Sequence, residues 1–325
     1  MKLKKVILII VLLAIVTLAA IACATLENKN KASNKNNIEK IKVTATNFAS
    51  YDFLRAIIGD NENIELTFLL GPGKDAHSYD PTAQDLITIQ NSDLFIYIGG
   101  EMEKWTERVL PTLDTSNTKV ICVADDIKTI DEQEIDGAEP EEEEEEEGAF
   151  DEHIWTSPDN AIAMVNTLEK SMEEIDSSNS SKYKQNAEKY IEKIKSVDKQ
   201  IQEIVDNKKR DRLVFGDKMP MQYFINYYKL QVSAAFSGCS TETEPSSKTI
   251  AYLVNKAKEE KTPVILYIEL NNGKVANTIA NEVGNGCKAM QIQTLHNVSK
   301  TDFDNGETWV SLMERNLDVL KAALQ

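Results

Sequence analysis

The chain is divided by one stretch near its middle, KYKQNAEKYIEKIKSVDKQIQEIVDN, residues 182–207. Its apolar residues recur at intervals of three and four, the spacing of one face of an α-helix, and neither Gly nor Pro interrupts it. This stripe comprises Ala187, Tyr190, Ile191, Ile194, Val197, Ile201, Ile204 and Val205. At 1.5 Å per residue the helix would be roughly 39 Å long. Because one continuous helix is a stiff connection, we expect the parts on either side to make small adjustments rather than swing on a loop hinge.

Apolar runs of strand length alternate with segments of helical period on both sides of this helix. Before it we predict strands at 41–46, 64–70, 94–98 and 120–123, with helices at 51–58, 82–90 and 102–110. After it we predict strands at 213–215, 232–236, 264–268 and 289–293, with helices at 221–228, 249–259, 276–282 and 307–324. This alternation is typical of parallel sheets covered by helices. The predicted fold class is α/β, with two Rossmann-like lobes, each a parallel sheet flanked by helices, joined by one long rigid helix.

The predicted domain organisation follows the same division. Residues 41–178 form an N-terminal lobe that includes an acidic loop at 131–152. Residues 179–209 form the linker helix, and residues 210–325 form a C-terminal lobe. The chain is long enough for two such lobes of modest size.

The N terminus is typical of an exported lipoprotein. Three lysines within the first five residues precede an apolar run and then small residues that end at Cys23. This pattern predicts a signal peptide at 1–22 and lipidation of Cys23, which would anchor the protein to the cell membrane on the extracytoplasmic face of a bacterium. A transmembrane anchor is the alternative, although an apolar stretch of roughly 17 residues is short for spanning a bilayer. The polar residues that follow predict a flexible tether at 23–40.

The net negative charge of the chain limits the kinds of ligand that the protein is expected to bind. The chain has 36 basic and 53 acidic residues, a net charge of −17, and loss of the three signal lysines would leave about 20 net negative charges. Phosphate binding needs a basic surface, so the composition excludes nucleic acid as a partner. Cations are the expected ligands.

The chain has only three histidines, and each lies in a short predicted loop: His77, His153 and His296. A neutral imidazole is the commonest protein ligand for zinc and its first-row neighbours. Ligands of parallel α/β sheets collect beyond the carboxyl ends of the strands, where His77 and His296 both lie. Two acidic residues, Asp217 and Glu269, also follow predicted strands. We therefore predict that the three histidines meet around one transition metal ion.

Three stretches resemble the signatures of one family. Residues 68–82, FLLGPGKDAHSYDPT, are similar to the first metal-binding signature of the cluster A-I substrate-binding lipoproteins, which serve zinc and manganese ABC importers. Residues 151–160, DEHIWTSPDN, resemble their second signature, and residues 309–324 resemble their closing helix. The similarity extends from about residue 41 to the end of the chain and includes the acidic insertion.

The resemblance implies that one divalent metal ion is held between the lobes by four side chains, two from each lobe. His77 and His153 match the positions of the N-terminal lobe directly, and His296 falls where relatives commonly have aspartate. For the fourth position relatives carry His or Glu after the first strand of the C-terminal lobe, where this sequence offers Asp217 at a spacing one residue longer. Glu269 is the supporting or substitute ligand. The implied partners are an ABC permease and its ATPase, served by a monomeric carrier.

Three imidazoles and one carboxylate suit a tetrahedral zinc ion, which would be cargo and not a catalytic cofactor. A carrier specific for manganese or iron is the alternative, although manganese prefers more oxygen ligands. A zinc hydrolase would keep three ligands, a bound water and a general base, for which Glu269 or Asp217 is the candidate. The sequence has no His-Glu-x-x-His or Gly-x-Ser-x-Gly motif to support that class. A surface adhesin would leave the histidines unexplained.

The acidic insertion has 14 acidic residues and no basic one between Asp131 and Glu152. One interpretation is a disordered, self-repelling loop. The other is a weak accessory cation-binding segment before His153, because like charges raise the local counter-ion concentration. Its centre is the run Glu141, Glu142, Glu143, Glu144, Glu145, Glu146 and Glu147.

The remaining cysteines say little about function. Cys122 lies in an apolar run and is expected to be a buried small hydrophobe. A Cys239–Cys287 disulfide is compatible with an extracytoplasmic protein, but the sequence leaves it open.

Overall fold

Two parallel four-stranded sheets form the framework of the computed structural model, which describes residues 39–139, 150–238 and 244–325. The strands are β1 (Ile41–Ala45), β2 (Ile64–Phe68), β3 (Leu94–Tyr97), β4 (Lys119–Cys122), β5 (Arg212–Lys218), β6 (Gln231–Phe236), β7 (Val264–Ile268) and β8 (Lys288–Ile292). Their order is β2-β1-β3-β4 in the first sheet and β6-β5-β7-β8 in the second. The predicted α/β class with two parallel sheets is confirmed.

Both sheets have the same topology, and this determines where a ligand can bind. In the first sheet β1 lies between β2 and β3, with Ile41 opposite Ile64 and Val43 opposite Leu94. In the second, β5 lies between β6 and β7. In each sheet the second strand in sequence lies on one side of the first strand, and the third lies on the other side, so the strand order reverses at β1 and at β5. In open α/β sheets, ligands bind in the crevice beyond the carboxyl ends of the strands at such a reversal.

The helices that cover the sheets agree with the predicted ones except at three places. They are α1 (Phe48–Ile58), α2 (Ala83–Gln90), α3 (Thr106–Val109), α4 (Pro158–Ile175), α5 (Ser180–Asp206), α6 (Gln222–Tyr228), α7 (Ser247–Glu259), α8 (Lys274–Val283), α9 (Lys300–Asp304) and α10 (Trp309–Leu324). The predictions lacked the five-residue helix α9. They also lacked α4, although Ser157 caps the start of that helix and Pro158 occupies its first turn. The single helix predicted at 102–110 is wrong. It is divided into 3₁₀ turns at Glu101–Glu103 and Leu110–Thr112 on either side of α3, and Pro111 removes a backbone donor at its end.

The long helix predicted at 182–207 is present as α5, which has 27 residues and is about 40 Å long. It packs against α1, α4 and α10. The Tyr190 hydroxyl donates a hydrogen bond to the buried Asp52 carboxylate on α1, which also accepts the Trp309 backbone N–H of α10 at 2.7 Å. The helix therefore ties together elements from both ends of the sequence. Residues 41–325 form one compact unit, and side chains from both sheets share one hydrophobic core.

The described ends of the acidic insertion connect the first half of the chain to the edge of the second sheet. Asp131 pairs with Phe150 in an antiparallel bridge at the base of the insertion. Asp136 pairs with Ser233 on the edge strand β6, and its carboxylate accepts a hydrogen bond from Arg212 at 3.1 Å. These ends are therefore part of the folded structure and are not a free acidic loop.

Several predicted features lie outside the described residues. They are the signal peptide at 1–22, Cys23 with nearly all of the tether at 23–40, the glutamates at 141–147, and Cys239 with its disulfide. Cys122, expected to be buried, is half-buried, and its thiol donates to the Ile98 carbonyl at 3.2 Å. Within the described ranges, no helix combines the length and the apolar character needed to cross a bilayer.

Candidate metal centre

Three loops from the two halves of the chain bring the histidines side by side. His77 lies in the loop after β2, His153 lies between β4 and α4, and His296 lies beyond the end of β8. The ring centroids of His77 and His153 are 5.5 Å apart, those of His77 and His296 are 4.9 Å apart, and those of His153 and His296 are 5.4 Å apart.

The ring nitrogens at this centre are suited to bind a cation. The Nε2 atoms of all three histidines are buried and have no hydrogen-bond partner among the residues that the structure describes. One nitrogen from each ring lies within 4.8 Å of the other two. A zinc ion bound at 2.0–2.1 Å in tetrahedral geometry holds its nitrogens about 3.4 Å apart, so a contraction of at most about 1.4 Å would complete the shell. Each unpaired buried polar atom costs about 1–3 kcal/mol, and a cation between the rings would relieve that cost.

Asp151 fixes the orientation and the tautomer of His153. Its Oδ1 accepts the His153 backbone N–H at 2.8 Å and the ring Nδ1–H at 2.9 Å. Because a carboxylate only accepts, Nδ1 carries the proton and Nε2 presents its lone pair. The Tyr223 hydroxyl donates to the Asp151 carbonyl at 2.7 Å, so the second half of the chain supports this loop. Burial lowers the pKa of His153, but the charge and hydrogen bond of Asp151 together with the charge of Glu152 outweigh burial, and the pKa lies above its ordinary value.

The turn that carries His77 is also held by the second half of the chain. Asp75 accepts the His77 backbone N–H at 2.9 Å. The side-chain amide of Asn297 donates to the carbonyls of Gly71 at 3.1 Å and Lys74 at 2.5 Å. Gly71 has a φ of 71°, a left-handed conformation that glycine adopts without steric cost. The residue after His296 therefore positions His77.

Glu269, predicted to be a supporting or substitute ligand, supports the loop that carries His296. Its carboxylate accepts the Thr294 backbone N–H and hydroxyl, both at 2.8 Å. From α10, Asn316 accepts the Gln293 N–H at 2.8 Å and donates to the Gln293 carbonyl at 2.7 Å. Burial raises the pKa of Glu269 above its ordinary value. Its position is behind the histidine loop and outside the group of three imidazoles.

Asp217, expected to be the fourth ligand, does not join the histidines. Its Oδ2 accepts the Ile268 N–H at 3.0 Å, and its Oδ1 accepts the Lys218 N–H and the Asn271 side-chain amide, both at 2.9 Å. The reason is that β5 extends through Lys218, three residues beyond the predicted strand, and its pairing with β6 shifts between Phe215 and Lys218. Such a bulge changes the direction of the side chains beside it. Asp217 is directed toward β7, while the Lys218 ammonium lies 3.7 Å from the Asp75 carboxylate in the His77 turn.

Two of the three imidazoles are held in the neutral form. Burial lowers the pKa of His77 well below its ordinary value, and the charges of His296 and His153 act in the same direction. Burial also lowers the pKa of His296 well below its ordinary value, followed by the charges of His153 and Lys218. Neutral imidazole is the form that binds a metal ion.

Three residues that shape this centre were not among the predicted site residues: Asp151, Asn297 and Lys218. Asp151 stands two positions before His153 in the quoted stretch 151–160, so a search for carboxylates beside each histidine could have found it. Asn297 directly follows His296, but its contact with the His77 turn joins residues more than 220 positions apart. No sequence pattern indicated a role for Lys218, because the direction of its side chain depends on where β5 ends.

Two helix-covered parallel sheets whose loops converge on three imidazoles define a two-lobed α/β binding protein. The sequence profile of the family described as ZnuA, zinc-uptake complex component A, periplasmic, matches residues 43–323. The chain belongs to this family.

The chain is similar to several named bacterial proteins. The zinc-binding lipoprotein AdcA of Streptococcus pneumoniae is 32% identical over 315 residues, which are 95% of this chain and 60% of AdcA, so the chain spans about 60% of that relative. The high-affinity zinc uptake system protein ZnuA of Bacillus subtilis is 29% identical over 309 residues, 93% of both chains. The crystal structure of the Zn(II)-bound ZnuA-like domain of S. pneumoniae AdcA is 30% identical, with a TM-score of 0.72 over 88% of this chain and 99% of that domain.

Proposed function

We propose that this chain is a high-affinity carrier that holds one divalent transition metal ion and delivers it to an ABC importer. The proposed ligands are His77, His153 and His296. One observation carries the proposal: three buried Nε2 atoms lack hydrogen-bond partners within the described ranges, and one nitrogen of each ring lies within 4.8 Å of the other two. Three imidazoles buried against one another are costly unless a cation binds between them.

Zinc is the proposed cargo. Three imidazole nitrogens suit a borderline-soft ion of low coordination number, whereas manganese prefers more oxygen ligands. The pneumococcal relative is named a zinc-binding lipoprotein, and the B. subtilis relative is named a high-affinity zinc uptake protein. A manganese or iron carrier of the same type is the alternative that a competition titration distinguishes.

The carboxylates beside the histidines support transport in preference to hydrolysis. A zinc hydrolase needs a base that receives a proton from the attacking water. Glu269 already accepts two hydrogen bonds from Thr294, and Asp217 accepts three from residues of its own sheet and its loops. These contacts hold both carboxylates in structural roles. We therefore propose a carrier without catalytic activity, and a purely adhesive role would leave the histidine centre without a purpose.

Delivery of the ion requires a membrane anchor on the carrier and a permease that accepts the ion. We propose a lipid anchor on Cys23 followed by the tether at 23–40, so that the protein works as a monomer on the extracytoplasmic face of the membrane. The N-terminal lobe at 41–178 and the C-terminal lobe at 210–325 would adjust slightly around the linker at 179–209 as the ion binds. The loaded form would then dock on a permease driven by an ATPase. The description of the matched family as the periplasmic component of a zinc-uptake complex supports this assignment.

Metal analysis with competitive zinc and manganese titrations on the protein without its signal peptide tests the proposal. We expect one tightly bound zinc ion per chain and weaker binding of manganese. His77→Ala should weaken zinc binding by at least two orders of magnitude, as expected for loss of one of three ligands. Ser78→Ala is the matched control, because the Ser78 hydroxyl makes one hydrogen bond within the described part of the chain, to the Asp75 carbonyl at 3.4 Å. Equal zinc affinity in His77→Ala and in Ser78→Ala would exclude the proposed centre.

A further inference from the structure

A lysine ammonium lies beside the proposed metal centre. Lys218 and His296 both line a cavity of about 480 Å³ at the carboxyl end of the second sheet. The Lys218 side chain is only 11% exposed, and its one ion pair among the described residues is with Asp75 at 3.7 Å. That distance is longer than a hydrogen bond, so the charge of Lys218 is only partly neutralised.

The Lys218 ammonium lies close to the loops that carry His77 and His296. It is 3.7 Å from the Asp75 carboxylate, which accepts the His77 backbone N–H at 2.9 Å, and it lines the same cavity as His296. At this position its positive charge repels a metal ion held between the imidazoles. A divalent ion would feel this repulsion more strongly than a proton, because the interaction scales with the product of the charges.

We propose that Lys218 sets the metal affinity of the centre: its ammonium repels the bound ion, and Asp75 moderates that repulsion. This inference rests on the proposed function. Lys218 belongs to β5 in the second half of the chain, and Asp75 belongs to the His77 turn in the first half. Separation of the two halves would therefore take Asp75 away from the ammonium and increase the repulsion. The stronger repulsion would speed the release of the ion from the carrier when the lobes separate.

Zinc competition titrations with a chromophoric chelator at pH 7.5 test this inference on four variants of the soluble chain. Lys218→Met removes the charge and keeps the length of the side chain, and we expect it to bind one zinc ion at least tenfold more tightly. Lys218→Arg keeps the charge and should stay within about threefold of the parent. Asp75→Asn keeps an oxygen for the His77 N–H but leaves Lys218 without its counter-charge, so zinc binding should weaken at least threefold.

Lys274→Met is the matched control. Lys274 lines the same cavity, but its side chain is 70% exposed and pairs with Glu244 at 3.0 Å, so its removal should leave the zinc affinity unchanged. The tighter binding of Lys218→Met should also diminish at high salt, because added ions screen the repulsion that the substitution removes.

The outcomes separate this inference from the proposed function. If the parent protein binds no zinc, the proposed function fails and the inference fails with it. If the parent binds one zinc ion while Lys218→Met binds with equal or lower affinity, the inference alone is overturned. Misfolding cannot imitate the expected result, since a damaged centre binds zinc more weakly and not more tightly.

Discussion

The hydrogen bond between Asp151 and His153 offers a quantitative test of how the centre is built. Asp151→Asn keeps the size of the side chain and an oxygen that can accept the His153 ring N–H, but it removes the negative charge. In the parent protein that charge raises the pKa of His153 against the effect of burial, so it makes the imidazole a stronger base. Loss of such a partner behind a metal-bound imidazole typically lowers metal affinity by about 10–100-fold. The expected cost is therefore about 1.4–2.7 kcal/mol of zinc binding free energy.

Competition titrations at pH 7.5 would measure this change, with thermal unfolding of the metal-free protein as a check on folding. His153→Ala provides the lower limit of affinity, because it removes the ligand itself. Asp318→Asn provides the matched control: Asp318 lies on α10, its side chain is 93% exposed, and its one ion pair in the described chain is with Lys321 at 3.8 Å. The control should bind zinc as the parent does.

Two results would refute this reasoning about Asp151. An unchanged zinc affinity in a folded Asp151→Asn variant would mean that the carboxylate does not support His153 in the bound state. A loss as large as that of His153→Ala would mean that Asp151 is itself a ligand, since its carboxylate also lies in a group with Glu152 and His153 that could hold a metal ion.

Three further predictions concern protons, stability and the acidic run. Zinc binding at pH 5.5 should release about one proton, from His153, because the pKa of His153 lies above its ordinary value while those of His77 and His296 lie well below theirs. Calorimetry in buffers of different ionisation enthalpy counts these protons, and a count near three would contradict the assignment. Burial raises the pKa of Glu103 from 4.5 to about 7 in the folded state. The unfolded chain therefore loses this proton at a lower pH than the folded chain does. The free energy of unfolding should fall by up to about 3 kcal/mol as the pH rises through that interval. Glu103→Gln should therefore be more stable than the parent at pH 8 and equal to it near pH 4, and denaturant unfolding at both pH values would check this. Replacing residues 141–147 with a Gly/Ser segment should leave one tightly bound zinc ion per chain and reduce only weak binding of calcium. Loss of the tightly bound zinc ion in a calorimetric titration would exclude an accessory role for these glutamates.

The sequence by itself was sufficient to predict the two parallel sheets and the long helix α5. The stripe of α5 is a local property, because residues three and four apart share one face of a helix whatever surrounds it. The buried strands were recognisable for a similar reason, since a short apolar run between turn residues has few other ways to be buried. The scarcity of histidines and their position in loops also predicted that His77, His153 and His296 meet, and their rings do lie side by side.

Only the tertiary structure decided which other side chains reach the centre. The sequence placed Asp217 in a loop after a strand, but β5 continues through an irregular step to Lys218. As a result Asp217 faces β7, and Lys218 lies beside the His77 turn. The hydrogen bonds from Asn297 to the His77 turn likewise depend on the packing of two loops from opposite ends of the chain. Periodicity reports interactions between near neighbours in sequence. The end of a strand and the face that each residue presents are set by register and packing against distant segments, and no local pattern encodes them.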